Sequence, residues 1–266
     1  MHENSLSLFG QSQMHTLNPK LFHKEYLQSG RRLDGRSCDD IRPISMSCNC
    51  IEEFASSSLV SLGKTIVVTA ISIKPQPLLS SLTIAVQRAA VSSQKGKTPV
   101  DKALTSMMAS ISSKILSLDD LEIMRPNSDD LFPAAVKVWC WNINVIQTII
   151  SDDGAVEIAT IIGFEEAMRE MKLPLFNLDS EYNLVKTDDF RYLNLKHVFG
   201  IRFGILDNKL YYDPTKDEEE VLDGCCTVLM SKDDEGSKLL KLSTTGTFIL
   251  TEDIIAKMTA TCSQKF

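Results

Sequence analysis

No segment of this 266-residue chain is long and apolar enough to cross a bilayer as a helix. The longest apolar runs, such as residues 66–73, fall far short of the roughly 20 residues that a spanning helix needs. A soluble protein with no membrane partner is therefore expected. Positive charge is also in deficit: 28 Lys and Arg face 35 Asp and Glu, giving a net charge of -7. That balance excludes nucleic-acid binding driven by overall charge, so any such contact has to be local or shared with partners. No short-period repeat is visible. No signal peptide is read at the start, and the seven cysteines (Cys38, Cys48, Cys50, Cys140, Cys225, Cys226 and Cys262) form an odd set. Reduced thiols in an intracellular compartment are the simpler expectation. Zinc-type spacing is missing too. Cys48-x-Cys50 and Cys225-Cys226 lack a complementary His pair, so buried thiols are expected in place of a metal site.

What is present suffices for a substantial core, since 43% of the residues are apolar. Residues 1–17 are polar and aperiodic, and a flexible tail is expected, with His2 and His15 solvated. Asn18-Pro19 opens a helix over 20–28 with an apolar stripe of Leu21, Phe22, Tyr26 and Leu27. Residues 58–74 are rich in β-branched side chains around Gly63-Lys64-Thr65 and predict a hairpin whose second strand is stopped by Pro75 and Pro77. Residues 80–93 are ambiguous, and Lys95-Gly96-Lys97-Thr98-Pro99 reads as a basic turn.

Leu104, Met107, Met108, Ile111, Ile115 and Leu118 recur at helical spacing over 101–118, with the Met pair as core filler. Residues 119–133 suit a loop, and 136–150 alternate as a strand that ends at the Asp152-Asp153-Gly154 turn. A helix follows over 156–171. A polar connector at 179–189 divides two subdomains, 18–178 and 190–266. Beyond it, strands at 198–205 and 209–212 flank an Asp207-Asn208 hairpin turn, strands at 225–230 and 239–242 flank a second turn, and Thr251 caps a last helix. The order of strands, helices, strands and helix indicates an α+β or mixed α/β fold.

Arg32-Leu33-Asp34-Gly35-Arg36 with Arg42-Pro43, then Gly63-Lys64-Thr65 before an apolar strand, Asp153-Gly154 before a helix ending in Leu173-Pro174, and Tyr212-Asp213-Pro214-Thr215 with Glu218-Glu219-Glu220 occur in that order. In this combination the chain resembles the RNase PH superfamily from about residue 18 to 260, and within it the ring subunits of the eukaryotic RNA exosome. The resemblance implies two βαβ-type subdomains of the ribosomal protein S5 domain 2-like kind, with sheets packed on helices. It also implies partners: other RNase PH-like subunits in a hetero-hexameric ring, cap proteins with S1 and KH domains, and single-stranded RNA in the assembled channel. The nucleus, nucleolus and cytoplasm are the expected locations, and 3′ to 5′ RNA processing and decay the expected process.

Phosphorolysis needs cations to hold the attacking phosphate and a carboxylate near the scissile bond. Active members of the family carry Gly-Thr-Arg after the Asp-Gly turn, where this chain has Gly154-Ala155-Val156; they also carry arginines on the preceding long helix, and residues 101–118 contain none. Their active-site aspartate aligns with Gly224, with Asp223 one residue away and so on the opposite strand face. Ala155, Val156 and Gly224 are thus degenerate phosphate and catalytic positions, and no catalytic residue, cofactor or metal is expected. The competing reading is an active phosphorolytic exoribonuclease whose site is completed by a neighbouring subunit.

The run Asp213, Asp217, Glu218, Glu219, Glu220 and Asp223 could bind Mg²⁺, but nearly contiguous acids diverge, which favours a solvated turn. His197 is read as a structural or surface residue. Arg88, Lys95 and Lys97 are the candidate RNA contacts, whereas Arg32, Arg36 and Arg42 are read as structural, locking the N-terminal turn through Asp34.

Overall fold

The computed structural model describes residues 19–77, 80–89, 100–124, 139–178, 184–233 and 236–266. Helix α1 (Pro19–Gln28) precedes strands β1 (Ile44–Cys48), β2 (Ser56–Leu62), β3 (Thr65–Pro77) and β4 (Ser81–Arg88). Helix α2 (Lys102–Ile115), a 3₁₀ turn, β5 (Glu122–Met124), β6 (Trp139–Ser151) and α3 (Val156–Arg169) follow. Then come β7 (Leu173–Leu178), β8 (Leu184–Arg191), β9 (His197–Leu206), β10 (Lys209–Tyr212), the single-turn α4 (Lys216–Glu219), β11 (Gly224–Asp233), β12 (Gly236–Gly246) and α5 (Glu252–Lys265).

The larger sheet runs β1-β2-β3-β6-β4, antiparallel except where β4 lies parallel to β6, as the intervening α2 allows. The smaller sheet runs β10-β9-β11-β12 and is antiparallel throughout. This is the expected mixed α/β class, with a strand where residues 80–93 were ambiguous. Asp101 caps α2 by accepting from Leu104 N, and Leu104, Met107, Met108, Ile111 and Ile115 of the expected stripe are buried, whereas Leu118 lies past the helix end in the 3₁₀ turn and is exposed.

Helix α3 lies between the two sheets and therefore buries apolar residues around most of its circumference, including Ile158, Ala159, Ile161, Phe164 and Met168. Its contact with the large sheet combines apolar packing against Val60, Leu62, Val67 and Ile71 with polar links. Ser56 Oγ donates to Ala167 O at 2.7 Å, Ser58 Oγ to Gly163 O at 2.7 Å, and Gln147 Nε2 to Thr160 O at 2.7 Å. A Cβ at Gly163 would lie 2.9 Å from Thr69 Oγ1, so glycine sets this close approach. On the other side the buried Glu165 carboxylate pairs with His197 Nδ1 at 2.7 Å, accepts from Val198 N at 3.1 Å and meets Arg169, tying α3 to β9. His197 is structural, as expected.

Two expectations need correction. Pro75 and Pro77 do not stop β3: beyond Ile71 the strand pairs only with β6, so each proline turns its missing N–H toward a side with no ladder to lose. Nor is 179–189 wholly a connector, because its second half belongs to β8, which forms a two-stranded ribbon with β7. Most of β8 faces solvent, with Val185, Asp188, Asp189 and Phe190 exposed, so it carries no apolar alternation by which it could be recognised. The expected tail at 1–17 lies outside the described residues. The Asp207-Asn208 turn is as expected, with both residues at positive φ (48° and 62°), the geometry that fits the twist of a two-residue hairpin.

Phe164 is fully buried between the sheets. Phe164→Ala is expected to lower stability by about 3–5 kcal/mol through the cavity it leaves, measured by urea unfolding.

Candidate functional site

The four motifs singled out in the sequence meet at one place. Arg42, buried against the β2–β3 turn, receives Asp213 in a two-pronged pair: Nε to Oδ2 at 2.8 Å and Nη2 to Oδ1 at 2.7 Å, while Arg42 N also donates to Oδ2 at 2.8 Å. Its remaining reach goes to the Asp-Gly turn, with Nη1 donating to Asp153 O at 2.5 Å. Gly63 sits at φ 57°, and a Cβ there would fall 2.6 Å from Arg42 Cδ; the glycine of Gly-x-Thr leaves room for that side chain. Thr65 of the same motif accepts from Asp153 N at 2.9 Å and donates to Gly154 O at 2.7 Å. Gly154 in turn has its Cα against the Pro214–Lys216 backbone, where a Cβ would be 2.7 Å from Pro214 O.

Arg32 completes the link. It grips Glu218 with Nε to Oε1 at 2.9 Å and Nη2 to Oε2 at 2.6 Å, and donates to the carbonyls of Tyr212 and Asp213 at 2.8 and 3.0 Å. Glu218 is also the third residue of a capping box with Thr215 that starts α4. Arg36 pairs with Asp34 at 2.6 Å and donates to Asp213 O at 3.1 Å. The structural reading of the three arginines fits this geometry, but among the described residues Asp34 forms its ion pair with Arg36, while Arg32 and Arg42 pair with acids 186 and 171 residues away in sequence. The acidic run is accordingly a solvated turn only in part, with Asp217 and Glu220 exposed. Asp213 and Glu218 are buried in ion pairs, and the sequence gives no local sign of their partners. Burial disfavours the charged guanidinium of Arg42, yet hydrogen bonds and charge from Asp213, with Asp153 and Glu218 beyond, hold its pKa above the ordinary arginine value.

Beside this network lies the position where the family's phosphate site is expected. Ala155 takes a left-handed conformation, φ 51°, and begins α3 with no side-chain cap. The α3 N-terminus is an anion site by virtue of its free N–H groups. The Glu219 carboxylate is placed there: Oε1 accepts from Ala155 N at 3.3 Å and from Arg202 Nε at 2.6 Å, and Oε2 accepts from Arg202 Nη2 at 3.1 Å. Arg202 also donates to Thr227 Oγ1 at 2.8 Å, and Thr227 Oγ1 donates to Glu157 Oε2 at 2.5 Å. Val156 is the first residue of the helix and contributes no cation. Sequence reading missed Arg202 and Glu157, because their spacing follows no motif, and it placed Glu219 in the acidic run without this role.

Gly224 is the first residue of β11, and a Cβ built there would stand 2.4 Å from both Thr245 O and Phe248 Cδ1. No aspartate fits at that position without displacing backbone. Asp223 instead accepts from Asp207 N at 3.0 Å, securing the β9–β10 turn. Arg88 is engaged as well, by Asp152 at 2.5 Å and Asp101 at 3.3 Å, while Lys95 and Lys97 lie outside the described residues. Burial acts to raise the Asp152 carboxyl, but hydrogen bonds from Arg88 and Gly154 N and the charges of Lys216 and Arg88 hold it below the ordinary aspartate value.

The cysteines divide differently from expectation. Cys225 and Cys226 are buried, with burial pushing their pKa values up to about 12 and about 11, whereas Cys48 and Cys50 are exposed because they flank the turn after the edge strand β1. Among the described residues no group of three or more His, Cys, Asp or Glu is arranged to hold a metal ion.

Comparison with known proteins gives one family. The model of domain 1 of RNase PH, the 3′ exoribonuclease family, matches residues 40–174, and that of domain 2 matches residues 196–262. The chain is 28% identical over 218 residues to the exosome complex component Rrp42 of Thermococcus kodakarensis, covering 77% of this chain and 76% of that one. It is 24% identical over 251 residues to Rrp42 of Archaeoglobus fulgidus, covering 90% of each. Among solved structures, a chain described as archaeal exosome core aligns with TM-score 0.69 at 21% identity over 92% of this chain and 93% of that one. A chain of the Archaeoglobus fulgidus exosome with RNA bound to the active site aligns with TM-score 0.71 at 21% identity, over 92% and 95%. These structural likenesses establish the fold.

Asp213→Asn leaves Arg42 buried with half its partner charge gone and is expected to cost about 3–5 kcal/mol in urea unfolding. The pH dependence of stability tests Asp152. Its folded pKa lies below the unfolded value, so its contribution is complete above the unfolded pKa and is lost as pH falls through the folded one. Asp152→Asn should therefore flatten the acid limb of the stability profile below about pH 4 and leave its shape above pH 6 unchanged.

Proposed function

The chain belongs to RNase PH, the 3′ exoribonuclease family, and from that premise we propose that it is a non-catalytic subunit of the RNA exosome ring, contributing interfaces and channel wall to 3′ to 5′ RNA processing and degradation. The observation that carries the reading is the Glu219 carboxylate seated at the α3 N-terminus with Arg202. A phosphorolytic site has to offer that kind of position to inorganic phosphate, and a resident carboxylate both fills it and repels a second anion. The lack of room for a side chain at Gly224, and the use of Asp223 as a turn partner, support the same conclusion.

Ring membership is supported by relatives called exosome complex component Rrp42 that match most of the chain. The motifs at 32–36, 153–154, 173–174 and 212–215 also resemble those of ribosomal RNA-processing protein 43, a eukaryotic ring subunit. Partners on this reading are other RNase PH-like subunits in a hetero-hexameric ring, cap proteins with S1 and KH domains, and single-stranded RNA in the channel. rRNA processing and mRNA decay in the nucleus, nucleolus and cytoplasm belong to the same proposal. Arg88 takes part in the wall as a member of its ion pairs, and Lys95 and Lys97 are proposed as RNA-contacting cations.

The test uses the purified chain and the complex that co-purifies with it. Neither the isolated chain nor its Glu219→Gln variant should release nucleoside diphosphates from labelled RNA in the presence of inorganic phosphate. Asp223→Ala should leave any degradation by the assembled complex unchanged. Phosphate-dependent release that disappears in the Asp223→Ala complex, with assembly intact, would show a site completed by a neighbour and overturn the reading. Co-purification with several homologous subunits is the positive expectation.

A further inference from the structure

Away from the motif network, two clefts adjoin around the C-terminal end of α2. One, of about 640 Å³, lies between α2, the segment 194–196 and β11; the other, of about 580 Å³, lies between α2, the start of β4 and the 3₁₀ turn. They share Ser113, Leu116 and Ser117 and so form one groove with two chemically distinct ends. At the first end stand Lys114, Lys196 and Lys232 with one carboxylate, Asp120. Lys114 Nζ donates to Leu240 O at 3.0 Å, while Lys196 and Lys232 are exposed and enter no ion pair among the described residues. At the second end Leu82 and Leu118 face the groove, with Leu118 51% exposed, and Asp119 is the acid there. The 3₁₀ turn that presents Leu118 is itself capped by Ser117, whose Oγ accepts from Asp119 N.

We propose that this groove docks an extended peptide segment of a partner protein, with acidic residues at the lysine end and a large apolar side chain at the Leu82–Leu118 end. The charge argument decides the occupant. In a chain of net charge -7, the described residues lining the first end are three lysines and one carboxylate, with Asp119 at the other end, a local positive excess that an acidic segment complements. An exposed leucine beside a second, more apolar cleft needs a hydrophobic partner, which RNA does not supply in that form. Among the described residues no aromatic side chain lines either cleft, so a nucleic-acid strand would find phosphate partners there but no stacking platform. The inference concerns a surface separate from the Arg42 and Glu219 clusters, and it does not depend on the chain being catalytically silent.

Random twelve-residue peptides displayed on phage, panned against the full-length chain, supply the probe. Enriched peptides should share a cluster of Asp or Glu followed by Leu, Ile or Phe. Their affinity, read by fluorescence anisotropy of the synthetic peptide, should fall about tenfold or more in the Lys196→Glu, Lys232→Glu double variant. It should fall severalfold in Leu118→Ser, and only the lysine-dependent part should weaken steeply with salt. Both sites are exposed, and matching urea midpoints would show the variants folded. As a readout that needs no variant, bound peptide should slow amide exchange over 113–118. Three results would overturn the proposal: panning that yields no common pattern, peptide binding indifferent to these substitutions and to exchange at 113–118, or lysine-dependent binding of a single-stranded oligouridylate in place of the peptides. Because the isolated chain is used throughout, failure here leaves ring membership untouched, and failure to assemble leaves this result standing.

Discussion

The pair between Arg42 and Asp213 is the contact on which the rest of the arrangement depends. Two buried charges in good two-pronged geometry, with the same carboxylate accepting the Arg42 backbone N–H, fix the segment after α1 to the segment before α4. Through its other guanidinium nitrogen, Arg42 holds the Asp153-Gly154 turn, so the start of α3 is positioned by the same side chain. Arg32 and Glu218 repeat the link one layer away. Buried ion pairs of this kind contribute little net stability compared with a well-packed apolar replacement, because desolvation offsets most of the Coulomb attraction. What they supply is exclusivity: with either partner missing, the other is left charged and buried. The two subdomains are thereby held in one relative placement, α1 and the β2–β3 turn on one side and the β10–α4 segment on the other.

That placement explains why motifs that look independent along the chain occur together. Gly63 is needed because Arg42 passes beneath it, Thr65 because the Asp-Gly turn has a backbone donor and acceptor to satisfy, and Gly154 because the Pro214–Lys216 backbone abuts it. Each is a requirement of packing around the ion pairs. These contacts hold the family's scaffold together without calling on a side chain at position 155 or 224. Position 155 contributes only a backbone N–H to the α3 N-terminus, and Glu219, delivered by the short helix that Thr215 and Glu218 start, supplies the negative charge that helix end attracts.

Much of the architecture is legible in the chain because it rests on local rules. The apolar period of α2, the alternation of β6, the Asp207-Asn208 turn and the Thr251 cap each depend on side chains within a few residues of one another. The errors fall where local rules compete with neighbours. Pro75 and Pro77 stay inside a strand because β2 has already left that side of β3, a fact that belongs to the sheet and not to the residues. Residues 184–191 escape notice as a strand because a two-stranded ribbon lying mostly in solvent needs no hydrophobic face. Cys48 and Cys50, read as buried by residue type, are exposed at the end of an edge strand.

By itself the sequence determined the fold class, the family and the absence of a cationic side chain at 155 and 156, since these follow from residue identity and spacing. Only the tertiary structure decided the partners of the charges. An arginine can satisfy an acid two residues away or one 171 residues away, and Asp34 and Asp213 are equally plausible in the chain. Folding chooses between them because burial makes an unpaired guanidinium so costly that the backbone arrangement bringing Asp213 to Arg42 is the one that survives. The same holds for Glu219: its place at the head of α3 arises only once α4 has been set beside that helix by the ion pairs next to it.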